Sequence, residues 1–343
     1  LFLLCEICVI FDKQLGKPAG MRKARVRSVA LLWYDRAIVF SLADNQGDRF
    51  TLSPCHLVTM SLLEGERMTA DLEYLRDRAR FIRTETVRLI EIAKSGHYTS
   101  VFSAAEIMSV LYYHTMQLSA DPKWPDRDRF IMSKGHCAVG MYPVLAEKGY
   151  FPTAWLDNYA RLGSALGDHP DMKKVPGIDF SSGSLGHGLS IGMGMALGLK
   201  TRKSPGRVFV LLGDGELNEG QIWEAAQAAP HFKLGNLIGI IDRNHMGLDG
   251  MTEDTMQIEP LADKWRAFNW EVHEVDGHNL AALVDLFDNL RTDGNKPHMI
   301  IADTIKGKGI EWMENSRVWH LGYLAGVDAQ RAVKDINEYQ WTR

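Results

Sequence analysis

The chain has 343 residues, 45% of them hydrophobic, and 39 basic against 43 acidic side chains give a formal charge of −4. Such a balance supplies no electrostatic reason to bind nucleic acid or an anionic membrane, and no stretch approaches the roughly eighteen uninterrupted apolar residues of a bilayer span. Its four cysteines are too few for a disulfide framework at this length, which favours a reducing, cytoplasmic setting.

The first segment, "LFLLCEICVIF", is apolar but interrupted by Glu6, and its basic cluster "KARVR" follows where a secretion signal would have it precede. Cys5 and Cys8 form a C-x-x-C without the second pair that a zinc site needs. Residues 1–67 are expected to be an N-terminal extension, disordered or not authentic, with the folded domain at 68–343 beginning near Met60 or Met68.

From Thr69 the pattern sharpens. Leu72, Leu75, Ala79, Ile82, Leu89 and Ala93 recur at helical spacing, with Thr86 the one polar residue on the stripe and Gly96 placed to end it. Ser103 and Glu106 read as a capping box ahead of the next apolar run. "DRFIMS" reads as a short buried strand, and the Gly-rich "SSGSLGHGLSIGMGMALGLK" leads into a small-residue helix. The strand "RVFVLL" follows, then the helix "NEGQIWEAAQAA" stopped by Pro230, then the strand "NLIGIID". "WEVHEVDG", the helix "NLAALVDLFDNLR" and the strand "HMIIADTI" complete the series. Strands alternating with helices predict one α/β domain, an open parallel sheet with helices on both faces.

Two of these strands end in oxygen-bearing side chains, Asp214 and Asn244, thirty residues apart. Parallel strands joined by a crossover helix bring their carboxyl ends to one sheet edge, where α/β sheets bind ligands. An Asp and an Asn converging there suit magnesium, which keeps coordination positions for water and phosphate oxygens. Gly213 and Gly215 leave room for a close backbone approach, and the next helix aims free amides at the same place. The pattern predicts a metal-bound diphosphate.

The run "GDGELNEG…IIDRNHM" resembles the thiamine diphosphate-binding motif, a GDG followed after a helix and strand by N or NN, here with Arg243 in the first place of the pair. The resemblance implies metal ligation by Asp214, Asn244 and the backbone carbonyl of Met246, with Mg2+, or Ca2+ or Mn2+ in its place. Five further stretches resemble the transketolase branch in the same order. "KSGHYTS" supplies His97, "RFIMSKGHCAVG" His136, "ALGDHPD" His169, "SSGSLGHG" Gly183 and Leu185, and "TIKGKGIEWMENSRVWH" His320.

Together they cover roughly residues 70–325 and identify the chain as similar to the diphosphate-binding (PP-type) part of a transketolase. Such enzymes move a two-carbon ketol unit from a ketose phosphate donor to an aldose acceptor, with the cofactor as electron sink. Protons must then move at sugar hydroxyls near neutral pH, work that imidazole suits.

The resemblance implies that His97 and His320 lie by the diphosphate and the reacting hydroxyl, that His136 touches the diphosphate, and that His169 meets the donor's hydroxyls. It implies that Gly183 and Leu185 present backbone to the aminopyrimidine and that Glu219 sits near a dimer interface. Lys306 and Lys308 add charge beside the phosphates, or are merely solvated. His56, His114, His231 and His273 read as structural or surface groups, and Cys137 and the methionines at 193–195 as packing.

A full-length transketolase is roughly twice as long, and the carboxylate that activates the cofactor comes from a second domain. The expectation is a split enzyme whose C-terminal, pyrimidine-binding partner is a separate polypeptide, assembled as α2β2. The family's SGHPG is "SGHYT" here, with Tyr98 and Thr99, and GPLGQG is "GSLGHG", with His187. These departures point away from common pentose phosphates towards an unusual ketose phosphate or a sulfosugar. Two other readings share the cofactor: a deoxyxylulose-phosphate synthase-like or 2-oxoacid dehydrogenase-like enzyme, against which the "SGH…DHP…GSLGHG" set argues, and a subunit that keeps the fold without the chemistry.

Overall fold

A computed structural model describes residues 29–34, 37–43, 49–51 and 70–341 of the chain. Cys5, Cys8, His56, Met60 and Met68 lie outside the described residues. The chain divides into residues 1–69 and 70–343. In the first unit, β1 (Val29–Tyr34), β2 (Ala37–Ala43) and β3 (Arg49–Thr51) pair antiparallel in the order β1-β2-β3.

In the second unit five strands pair in parallel in the order β4-β5-β6-β8-β7: β4 (Arg129–Met132), β5 (Val208–Gly213), β6 (Leu237–Arg243), β7 (Glu271–Asp276) and β8 (His298–Asp303). β8 inserts between β6 and β7, an order that alternation of helices and strands does not encode.

The two-residue period of a strand splits the core in two. Phe130, Phe209, Leu211, Ile238, Ile240 and Ile300 face one layer. Ile131, Val208, Val210, Leu212, Ile241 and Met299 face the other. The first layer holds α1 (Leu72–Ala93), α2 (Thr99–Val110), α3 (Ala138–Glu147), α7 (Leu280–Asn289) and α8 (Val327–Glu338). The second holds α4 (His187–Thr201), α5 (Gly220–His231) and α6 (Leu261–Ala267). α4 lies close on the sheet: a Cβ at Gly192 would stand 2.5 Å from Val210 Cγ2, so a larger residue would push helix and strand apart.

Helix ends follow local chemistry, with exceptions. Asp71 caps α1 by accepting from the Tyr74 amide at 2.9 Å, and the helix stops at Lys94 in the left-handed region, φ 61°, two residues before Gly96. Thr86 is buried in that helix and returns its hydroxyl to the Ile82 carbonyl at 2.7 Å. Pro230 lies inside α5, one residue before its end. The carbonyl its missing N–H would have used, on Ala226, accepts from the Trp270 indole at 2.8 Å instead.

Ser103 and Glu106 are not a capping box. α2 starts at Thr99, so both lie inside it and turn to buried partners: Ser103 donates to Asp242 at 2.6 Å, and Glu106 takes both guanidinium arms of Arg83 at 2.7 Å. Among the described residues no helix is long and apolar enough to cross a membrane.

Candidate active site

β5 and β6 run in register with Gly213 opposite Asp242, so their carboxyl ends release Asp214 and Asn244 side by side. The Asp214 carboxylate accepts from the amides of Gly215 at 2.8 Å and His245 at 2.6 Å and from Arg243 at 3.2 Å, which binds the two loops into one cradle. Asn244 turns its amide nitrogen to Asp242 at 3.0 Å, leaving its carbonyl oxygen on the opposite side, 3.2 Å from the Met246 amide. The Met246 carbonyl accepts from the Lys306 ammonium at 3.2 Å, and that of Gly247 from the same group at 3.3 Å. Asp214, Asn244, Met246 and Lys306 are all buried. Burial, then the neighbouring Asp242, pushes the Asp214 carboxyl up, and burial lowers the Lys306 ammonium to about 8.

The residues present fit a cation bound to a diphosphate. Three hard oxygens lie on the adjoining ends of β5 and β6, one of them already holds an ammonium, and the Asp214 carboxylate sits where a further positive charge would relieve it. A Cβ at Gly215 would meet the Gly247 backbone at 3.5 Å, an ordinary van der Waals contact.

Above this cradle stand the histidines. An isolated antiparallel bridge, His97 to Leu321, and paired amide bonds between Gly96 and Gly322 (3.2 and 3.1 Å) carry the distant His320 to His97. Ring centroids lie 5.4 Å apart for His97 and His320, 5.0 Å for His97 and His136, 5.9 Å for His136 and His320, and 6.4 Å for His97 and His169. Asp168 stands between two of them, 3.6 Å from His97 Nδ1 and 3.5 Å from His169 Nδ1. Burial, then Lys306 and His97, lowers His320 to about 3, and burial with Lys134 sets His136 well below its ordinary value. The Nδ1 of His320 is buried without a hydrogen-bond partner among the described residues, a polar atom poised for a ligand.

Residues 75–339 match the family model described as "Transketolase, thiamine diphosphate binding domain". The chain belongs to the transketolase family. It is similar to an apulose-4-phosphate transketolase subunit of Phocaeicola vulgatus, 41% identical over 255 residues, covering 73% of this chain and 90% of that one. It is also similar to the 6-deoxy-6-sulfo-D-fructose transketolase subunit SqwG of a Clostridium species, 42% identical over 265 residues, 77% of this chain and 96% of that one. Among solved structures, transketolase from Campylobacter jejuni superposes with a TM-score of 0.74 at 28% identity over 80% of this chain. The chain spans 44% of that enzyme's length. The open parallel sheet covered on both faces is the diphosphate-binding fold of transketolases, and thiamine diphosphate-dependent two-carbon transfer is the reaction class it serves.

The remaining predicted positions divide. A Cβ at Gly183 would lie 3.5 Å from the His169 ring, which places that loop against the histidines, and exposed Leu185 follows it. Glu219 is exposed and packs beneath Gly186, where a Cβ would come within 2.6 Å of it. Lys306 and Lys308 separate: Lys306 is buried in the cradle, whereas the Lys308 ammonium sits 5.2 Å from the Tyr339 ring centroid. Tyr98 is fully buried in the core, and Thr99 donates to the Trp319 carbonyl, beside His320, at 3.1 Å. His187 is exposed on the first turn of α4, and Cys137 is buried.

Transketolase motifs did not disclose the groups beneath the cradle. Asp242, wholly buried, accepts from Lys134, Ser103, Thr304 and Asn244. Lys134 also donates to the Ser100 carbonyl at 2.8 Å. Glu216, in "GELNEG", ties three loops together through Ser133 and the amides of Gly186 and Gly213 at 2.8 and 3.0 Å. The wholly buried strand that leads into "RNH" offers no clue to these; only the position of Asp242 two residues before the Asn could have raised the question.

Proposed function

We propose that the chain is the diphosphate-binding subunit of a two-polypeptide transketolase that moves a two-carbon ketol unit from a ketose phosphate, or related sugar, to an aldose acceptor. The observation that carries this is the cradle of Asp214, Asn244 and the Met246 carbonyl beneath four clustered histidines. Asp214, Asn244 and Met246 would hold Mg2+, or Ca2+ or Mn2+. His136 and Lys306 would hold the diphosphate, Gly183 and Leu185 the aminopyrimidine, and the amides around Gly213 and Gly215 would admit the phosphates. When bound, thiamine diphosphate supplies the electron sink for breaking and making the carbon–carbon bond.

The chain's own residues do the rest. His97, His169 and His320 handle protons and hydroxyls of donor and acceptor, with the Asp168 carboxylate 3.6 and 3.5 Å from the Nδ1 of His97 and His169; like that of His320, the Nδ1 of His97 is buried without a hydrogen-bond partner among the described residues. The nearby Lys306 and Lys134 ammoniums help to keep His320 neutral. Burial is the larger cause, and an anionic group beside those lysines would offset their smaller share and raise His320 part of the way back.

The partner is proposed to be a separate pyrimidine-binding chain that brings the activating carboxylate, in an α2β2 assembly with Glu219 near the interface. Relatives named as subunits are spanned nearly end to end by the match. The sugars in their names, apulose-4-phosphate and 6-deoxy-6-sulfo-D-fructose, support an unusual donor here. The test is a donor–acceptor screen with the purified chain, alone and with its partner. Ketol transfer only by the pair supports the reading. Transfer by the single chain overturns the split, and pyruvate decarboxylation without ketol transfer overturns the reaction.

A further inference from the structure

At the other end of the sheet, β7 and β8 begin side by side with Glu271 paired to His298 and His273 to Ile300. Period-two geometry puts Glu271, His273 and His298 on one face. One ligand atom from each lies within 4.8 Å of the other two. His273 Nε2 is 3.4 Å from His298 Nδ1, and the Glu271 carboxylate is 3.8 Å from the former and 3.9 Å from the latter.

The tautomer of His298 is set from behind. Its Nε2 lies 3.0 Å from the Arg291 carbonyl oxygen, which can only accept, so the ring proton sits on Nε2 and Nδ1 presents a bare lone pair. That lone pair faces an imidazole and a carboxylate from a wholly buried ring. A histidine donating its far N–H to a backbone carbonyl is the ordinary arrangement of a metal ligand.

The separations argue the same way. The carboxylate stands beyond hydrogen-bond distance of both rings, and the contact between the rings is at the long limit for one. Ligands about 2.0–2.1 Å from a tetrahedral ion are about 3.3 Å from each other, so shifts of a few tenths of an ångström would close all three on one centre. Burial also favours the neutral, lone-pair-bearing form of both histidines.

We infer that Glu271, His273 and His298 form a second metal site, taking Zn2+ or a similar nitrogen-preferring divalent ion, with solvent as the fourth ligand. Two imidazoles and a carboxylate select such an ion over Mg2+, which the all-oxygen cradle at the opposite sheet edge suits. β7 is an edge strand, exposed or half-buried throughout, and the ion would tie it to β8. The second metal site does not depend on the proposed reaction.

The test uses the 343-residue chain, stripped with chelator and titrated calorimetrically with Zn2+ alone, beside H273Q, E271Q and D214N. The expected result is one Zn2+ equivalent that D214N retains and H273Q binds at least about tenfold more weakly. Zn2+ should raise the melting temperature of the parent and of D214N but not of H273Q. E271Q, whose side chain is half exposed, gives the same reading should H273Q fail to fold. Absence of Zn2+ binding, binding unchanged in H273Q and E271Q, or binding lost only in D214N would each overturn the site and leave the two histidines a simple stacked pair.

Discussion

Asp242→Asn is the perturbation that reaches deepest into the cradle. The carboxylate is fully buried, receives the Lys134 ammonium, two hydroxyls and the Asn244 amide, and is held below the usual carboxylate range: burial raises it, but Lys134, Ser103 and Thr304 together outweigh that. An asparagine keeps the shape and can still accept through one oxygen and donate to Thr304 through its nitrogen. What disappears is the charge, which leaves the buried Lys134 ammonium with neutral acceptors, the Ser100 carbonyl and the substituted amide oxygen, in place of a carboxylate.

Breaking one side of such a buried pair costs about 3–5 kcal/mol, so urea denaturation of D242N should show a loss of that size. Lys134→Met alone should cost a comparable amount. The double variant D242N/K134M, with no stranded charge, should recover much of the loss and give a coupling energy of about 2 kcal/mol or more. A loss below about 1 kcal/mol for D242N, or strict additivity in the double variant, would refute the account of Asp242 and Lys134 as a mutually dependent pair.

Other consequences can be checked independently. Burial raises the Glu106 carboxyl, but Arg83 and His278 outweigh it and hold the group at about 2. Its contribution is therefore complete above about pH 4.5 and is lost as pH falls towards 2, a difference of about 3 kcal/mol that acid denaturation of E106Q against the parent should reveal as a shallower decline. Gly192→Ala should cost about 1–3 kcal/mol by pushing α4 off Val210, and Val210→Ala in the same chain should return part of it in a thermal melt. His320→Gln, assayed with the partner chain, should lower kcat about 10²–10⁴-fold while cofactor affinity changes far less, and an unaltered kcat would remove His320 from the proton-handling role.

What was legible in the sequence was whatever chemistry is local in the chain. Asp214 and Asn244 announce themselves because each ends a strand, and parallel pairing then forces them together. The four histidines were legible as motif positions, though their convergence depends on the His97–Leu321 bridge, which no periodicity reveals. The supporting charges stayed hidden for the same reason: Asp242 and Lys134 are 108 residues apart, and each looks like an ordinary strand-end polar residue. Ser103 and Glu106 misled because S-x-x-E spacing also suits two helix-interior side chains aimed at buried partners. His273 and His298 meet only because β8 inserts beside β7.

The most direct measurement is calorimetric titration of thiamine diphosphate into the chain with its partner, with and without Mg2+, for the parent and for D214N and N244A. A cradle that grips the diphosphate through a cation predicts saturable binding that requires the cation and falls at least about a hundredfold in either variant. Equal affinity without the cation, or equal affinity in the variants, would contradict it.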